Sequence, residues 1–364
     1  MTNVRARDLG LDFPGTPGQY NAITDVPGVR VGYSTVTDAA RNIRSGVTAI
    51  IPRLDADIPQ PVWAGQHTLN GNGEMTGTHW INDAGYFKGP VCITNTHSVG
   101  MVHHGVIQWM LRQYSNFYNK EHAWIMPVVA ETYDGVLNDI NAQHISSEHA
   151  LQALDSAISG AIEEGSVGGG NGMICYEFKG GTGTASRQVE IDASTYTVGV
   201  LVQANHGIRP WLNVLGAPVG RHLCEGRLLT QETGSIIVVV ATDAPLSSLS
   251  LRHVARRAAL GIGRGGSPGG DSSGDIFLSF SVAAEIEDPA GKPSMLQRTH
   301  LRSEYLDPLY LATVESVEEA VINALVAGKD TPTFKPEGKL CYGIDHAQLV
   351  DVLRRYGRLT PADG

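Results

Sequence analysis

Residues 234–246 read GSIIVVVATDAPL, and residues 236–241 within them are Ile, Val or Ala throughout. An unbroken run of that length, rich in β-branched side chains, predicts a strand buried on both faces. Such a strand needs a covering layer on each side. The stretch ahead of it, residues 220–233 (GRHLCEGRLLTQET), is polar and predicts an exposed connector that ends at Gly234.

Outward from that strand the chain alternates between the two periodicities. Residues 29–33, 46–51, 90–94, 124–130, 173–178, 187–192, 196–204 and 275–283 read as strands, mostly β-branched and bounded by Gly, Pro or polar residues. Residues 98–118 predict a helix, with Val102, Ile107, Met110 and Leu111 near helical spacing. Residues 147–164 predict another, with Leu151, Leu154, Ile158 and Ile162 on one stripe, and residues 247–260 a third. Near the C-terminus Ser316 with Glu319, and Asp345 with Gln348, read as capping boxes that open helices. Strands mixed with helices predict an α/β fold of stacked sheets covered by helices. No repeat or long linker divides the chain, so one domain over residues 1–364 is expected.

Composition narrows the function classes. A chain of 364 residues can bury a core without staples. Its 42% apolar and 18% charged content excludes a disordered chain. The formal charge of -10 argues against a nucleic-acid partner, whose phosphates need a basic face. No run approaches the ~18 apolar residues of a membrane span. The charged start, MTNVRARDLGLDF, has no apolar segment of a secretory signal. Cys92, Cys175, Cys224 and Cys341 are scattered, which predicts buried reduced thiols in a cytoplasmic protein.

Several motifs carry little. GIGRGG (261–266) and GGGNG (168–172) each follow a predicted helix and precede a strand, the reverse of a phosphate-binding turn. His97, His103 and His104 lack the i, i+4 spacing of a helical zinc site. No metal or other cofactor is expected.

The pair Gly234-Ser235 carries more. Serine is a weak nucleophile until a base stands beside it, and the chain has no G-x-S-x-G elbow. A serine exposed as a new N-terminus brings its own base, an α-amine of reference pKa about 7.7–8.0. Gly234 tolerates close approach, and the buried strand would hold Ser235 in place. The plainer alternative is a simple turn. Gly165-Ser166 and Gly266-Ser267 do not open a strand. Residues 131–140 (ETYDGVLNDI) put Glu131 and Tyr133 at a strand end, where α/β sites often lie, or form a turn around Asp134-Gly135. Asn205 ends another predicted strand, where its amide either donates to an oxyanion or turns the chain with His206-Gly207.

RARDLG (5–10), GTPGQYNAITDVPGVRVGYST (15–35), TNTHSVG (94–100), ETYDGVLND (131–139) and GSIIVVVATDAPL (234–246) together resemble the DmpA family nearly end to end. These are the L-aminopeptidase D-Ala-esterase/amidases and β-peptidyl aminopeptidases. The resemblance implies a four-layer αββα sandwich, like the N-terminal nucleophile hydrolases but with different connectivity. It implies a precursor that cuts itself after Gly234, giving fragments 1–234 and 235–364, with Ser235 as nucleophile. It further implies that Asn205 forms part of an oxyanion hole, that Tyr133 lies beside the nucleophile, and that Glu131 receives the substrate's ammonium. Ser273 and Asp275 match a family pair near the nucleophile; some β-peptidyl members have Glu at the second position, so Asp275 departs from those. The implied activity is removal of N-terminal L-, D- or β-amino acyl residues from short peptides, amides or esters by a homotetramer of two-fragment units. The alternatives are an acyltransferase of the ornithine acetyltransferase type, which shares the fold, and a non-catalytic binding protein.

Overall fold

The computed structural model describes residues 4–53, 58–283 and 298–360. The early strands are β1 (Arg30–Asp38), β2 (Ile43–Ile51), β3 (Pro61–Thr68), β4 (Tyr86–Lys88), β5 (Val91–Asn95) and β6 (Val128–Thr132). Then come the short β7 (Ile174–Cys175) and β8 (Phe178–Lys179), followed by β9 (Gly181–Ile191), β10 (Ser194–Asn205), β11 (Ser235–Thr242) and β12 (Ile276–Ser281). The last two are β13 (Thr331–Pro332) and β14 (Leu340–Cys341). The helices are α1 (Thr78–Ala84), α2 (Val99–Gln113), α3 (Ser115–Lys120), α4 (Ser147–Asp155), α5 (Ser248–Arg264), α6 (Asp307–Val326) and α7 (His346–Arg355).

Two sheets carry the molecule, ordered β1-β2-β5-β6 and β4-β3-β12-β11-β10-β9. The alternation along β11 shows why they stack. Ile237, Val239 and Ala241 pack against Ile50, Ile93 and Ala130 of the facing sheet. Ile236, Val238 and Val240 point the other way, into a core shared with Leu251 and Val254 of α5 and Val317 and Val321 of α6. On the outer face of the smaller sheet, Val47, Ala49, Cys92 and Val129 meet Val106 and Trp109 of α2 and Ala150 and Leu154 of α4. The layers therefore run helix, sheet, sheet, helix, the αββα sandwich that the resemblance implied. Each fully buried Val, Ile or Leu in these clusters contributes about 1.5–3 kcal/mol. Close helix approach needs a bare backbone at Gly183, where a Cβ would stand 2.0 Å from the Ala320 carbonyl oxygen of α6.

The N-terminal segment is tied to α6 through charge. Glu319 is fully buried and accepts from Arg7 at 2.8 and 2.9 Å, from Arg187 at 2.7 Å and from Asn21 at 2.6 Å. Burial alone would raise its pKa, but the Arg7 hydrogen bond and the two guanidinium charges outweigh it and hold the carboxyl below its ordinary value.

Several boundaries differ from the sequence reading. Residues 98–118 are two helices, because the backbone of Tyr114 leaves helical geometry between α2 and α3. The helix expected over 147–164 stops at Asp155, and Ile158 pairs with Val31 as an isolated bridge, both bonds formed at 2.9–3.0 Å. The strand expected at 124–130 begins only after Pro127, which has no N–H for a ladder. Residues 173–178 are the tight β7–β8 hairpin, turned by Tyr176 and Glu177 at φ 50° and 61°. Ser316 and Glu319 cap nothing: both lie inside α6, which opens at Asp307-Pro308. Asp345 does cap α7, accepting from the Gln348 N–H at 2.9 Å. Cys224 is exposed, unlike the other three thiols.

Candidate active site

Antiparallel pairing of β10 and β11 sets Asn205 directly opposite Ser235. Each is a terminal residue of its strand, so two polar side chains stand opposite each other at the rim of the sheet. Gly234 precedes them in a place where no side chain fits. A Cβ there would lie 1.9 Å from the Asn205 carbonyl oxygen and 2.9 Å from the His206 Cα. The Ser235 hydroxyl is fixed from the third side, its Oγ accepting from the Gly274 N–H at 2.9 Å. That leaves the hydroxyl its own proton to give away.

The Asn205 amide is locked by two backbone groups. Its Oδ1 accepts from the Ile174 N–H at 2.8 Å, and its Nδ2 donates to the Tyr133 carbonyl at 3.0 Å. The Ile174 donor fixes which end is oxygen, and one Nδ2 hydrogen remains for another acceptor. Tyr133 is 45% exposed, and its phenol folds back over Gly135, where a Cβ would stand 2.2 Å from the phenol oxygen. The neighbouring Asp134 does form the turn, accepting from the Leu137 N–H at 3.0 Å. It also braces the site: its buried carboxylate accepts from Ser45 at 2.7 Å, Asn138 at 3.0 Å and Asn95 at 3.1 Å. Burial pushes its pKa up to about 6 against those three donors.

Ser273 and Asp275 lie together just ahead of β12. The Ser273 hydroxyl donates to Asp275 Oδ1 at 2.5 Å, and that oxygen also accepts from the Ile236 N–H at 3.1 Å. Burial raises the Asp275 pKa, while Ser273, Ile236 and Asn70 pull it back. One loop thus holds β11 twice, by Gly274 at the Ser235 hydroxyl and by Asp275 at the next peptide.

Glu131 is the penultimate residue of β6 and is almost wholly buried. Its carboxylate accepts from the Glu74 N–H at 2.9 Å and from the Thr96 hydroxyl. Burial raises its pKa and the charge of Glu74 adds to that, against both hydrogen bonds and His97. Gly73 links it to the nucleophile: a Cβ on Gly73 would stand 3.2 Å from Glu131 Oε1 and 3.1 Å from the Gly274 Cα. The smaller sheet thus brings an acid up to the loop that holds Ser235. Glu74 adds a second negative charge beside it, which suits a cation.

Gly274, Gly73 and Thr96 are site residues that the sequence reading did not single out. Only the density of Gly, Ser and Asp in residues 269–275 (GGDSSGD) hinted at a functional loop. Of the other motifs, residues 261–264 are the last turn of α5, and residues 168–172 form a buried 3-10 turn. Among the described residues no group of three His, Cys, Asp or Glu is placed to hold a metal. No helix among them is long and apolar enough to cross a membrane.

Residues 21–338 match the family model described as peptidase family S58. The chain is 47% identical to the β-peptidyl aminopeptidase BapA of Sphingosinicella microcystinivorans, over 98% of this chain and 94% of that one. It superposes on the L-aminopeptidase D-Ala-esterase/amidase of Ochrobactrum anthropi with a TM-score of 0.93 and 53% identity, over 98% of this chain and 99% of that one. That structure is described as a prototype for the serine aminopeptidases and a new variant of the Ntn hydrolase fold. A β-aminopeptidase of a Burkholderia species matches at TM-score 0.89 and 45% identity, over 97% and 99% of the two chains.

Proposed function

The chain belongs to peptidase family S58 and is a serine aminopeptidase; from that premise we propose that it cuts itself between Gly234 and Ser235 and then works through an acyl-enzyme on Ser235. In the cut, the Ser235 Oγ adds to the Gly234 carbonyl carbon, and the bond from that carbon to the Ser235 nitrogen breaks. The proton lost from Oγ ends on that nitrogen. Water then splits the resulting ester, leaving a carboxylate on Gly234 and the hydroxyl back on Ser235. Residues 1–234 and 235–364 stay together through the β10–β11 ladder and the shared core.

In turnover the freed α-amine of Ser235, of reference pKa about 7.7–8.0, takes the Oγ proton as Oγ attacks the substrate carbonyl. The remaining Nδ2 hydrogen of Asn205 meets the oxyanion. The ammonium of Ser235 protonates the leaving amine, and water clears the acyl group. Tyr133 flanks the substrate. Glu131 holds the substrate's own ammonium, so a blocked N-terminus leaves a buried acid unpaired and is rejected. Ser273 and Asp275 keep Ser235 in register with Asn205. Substrates are short peptides and amino-acid amides or esters carrying an L-, D- or β-amino acyl group. The working unit is a tetramer of cut chains in the cytoplasm.

The observation that carries this reading is the meeting of Ser235 Oγ, the Gly274 N–H and Asn205 at a Gly-Ser junction with no room for a side chain before it. Denaturing mass spectrometry with N-terminal sequencing tests it. The 38.9 kDa chain should appear as fragments of about 25 and 14 kDa by share of length, the smaller beginning Ser-Ile-Ile-Val. Ser235→Ala should remain one inactive chain. A Ser235→Ala protein that is cut and active ends the proposal.

A further inference from the structure

Residue 232 lies two positions before Gly234, between the exposed Gln231 and Thr233. Its side chain turns inward. Glu232 Oε1 accepts from the Gly234 N–H at 3.0 Å, while Oε2 is buried with no hydrogen bond. The Gly207 N–H, two residues beyond Asn205, faces the same carboxyl. On the other side Gly270 leaves room for it, since a Cβ there would touch the Glu232 Cγ at 3.0 Å. The main chain is held as well, the Glu232 carbonyl accepting from the Ser272 hydroxyl at 3.1 Å. Glu232 is therefore gripped by the two loops that flank Ser235, residues 205–207 and 270–275.

Resting on the self-cleavage proposed above, we infer that Glu232 is a positioning residue for that cleavage: its carboxyl holds the Gly234 N–H, and with it the peptide plane on the near side of Gly234, so that Gly234 keeps its carbonyl turned to the Ser235 hydroxyl. The far side of the scissile peptide is already held by Ser235 in the β10–β11 ladder, and glycine offers no side chain to fix the near side. The i to i+2 bond from Glu232 supplies that restraint from outside the residue. Burial favours the neutral carboxyl, and the nearby charges of Asp275 and Glu177 push the same way, against the Gly234 and Gly207 N–H groups. A neutral carboxyl still accepts through Oε1, and so does the amide of glutamine in the same space. The role needs an acceptor of the right length and does not need charge.

That distinction gives the test. The parent, Glu232→Ala and Glu232→Gln are purified under conditions that slow cutting, and the fraction of intact chain is followed on denaturing gels over time. Circular dichroism and thermal melts of each uncut protein report the fold. Glu232→Ala should cut about tenfold or more slowly, the change expected for one lost hydrogen bond in the reacting geometry. Glu232→Gln should cut within about threefold of the parent and melt at the same temperature. Glu232→Ala cutting at the parent rate overturns the inference, as does Glu232→Gln being as slow as Ala while folding normally. If Glu232→Ala does not fold, the glutamine variant alone decides. A parent that never cuts overturns the self-cleavage reading, and this inference with it.

Discussion

Removing the Asn205 side chain tests the site most sharply, because the structure gives the amide one job and the proposed mechanism gives it a second. Asn205→Ala strands the Ile174 N–H and the Tyr133 carbonyl, which now bond the amide at 2.8 and 3.0 Å. Each unsatisfied buried polar group costs about 1–3 kcal/mol, so the two together should lower folding stability by about 2–6 kcal/mol. The same change removes the proposed oxyanion donor, and one such donor is worth about 2.7–4 kcal/mol, or roughly 10²–10³ in kcat. The two losses read out differently. Stability is read from urea unfolding of the full chain, and the chemical step from kcat on an amino-acid ester at a temperature where the variant stays folded. Self-cleavage passes through the same kind of tetrahedral centre and should slow in parallel. A variant that loses the stability but keeps kcat within about tenfold would show that the amide only braces Ile174 and Tyr133. The oxyanion role would then fall.

The other predictions concern charge. Glu319→Ala leaves Arg187, itself buried, with Glu315 at 3.4 Å as its remaining ion-pair partner, and should cost about 3–5 kcal/mol in urea unfolding. Because Arg7 and Arg187 lie before residue 234 and Glu319 after it, fragments of a cut variant should also separate at lower denaturant. Glu131→Gln should raise KM for free-amine substrates far more than it lowers kcat, since an ammonium contact serves ground and transition states alike. For the parent, burial raises the Glu131 pKa, so the carboxylate exists only above a value higher than ordinary glutamate. kcat/KM should therefore fall on the acid side at a higher pH than a free glutamate would dictate. A KM unmoved by Glu131→Gln would remove Glu131 from substrate binding.

The legible parts were those written in local pattern. The run at 236–241 identified the inner strand, and its alternation toward two different cores follows from the period of two. Asn205 and Ser235 were each visible as strand ends, but that they face one another is a matter of register between distant strands. Gly274 reaches Ser235 across 39 residues, and no spacing rule encodes that contact. Where the reading failed, tertiary pairing overrode local preference. The apolar stripe through Ile158 and Ile162 favours a longer helix, yet the edge of β1 takes Ile158 as a bridge partner. Ser316 and Glu319 match a capping box by type, but Glu319 is worth more as the anion between two guanidinium groups. Glu232 looked like one more polar residue in a connector, because its burial depends on Gly207 and Gly270, far away in sequence.

The placement of the proposed junction lets a chain cut before Ser235 keep its fold. Ser235 is the first residue of β11, so a break before it removes no ladder bond of the strand that follows. That strand is held by β10 on one side and β12 on the other, each pairing along most of its length. Its side chains are buried in two cores at once, each containing residues from both sides of position 234. The new terminus would therefore form inside a rigid element, with Asp275 holding the Ile236 N–H and Gly274 directed at the Ser235 hydroxyl. The freed amine would need no search to find its place, because β11 is paired on both sides. What the proposed cut would change is the chemistry of one nitrogen, from an amide that cannot accept a proton to an amine that can.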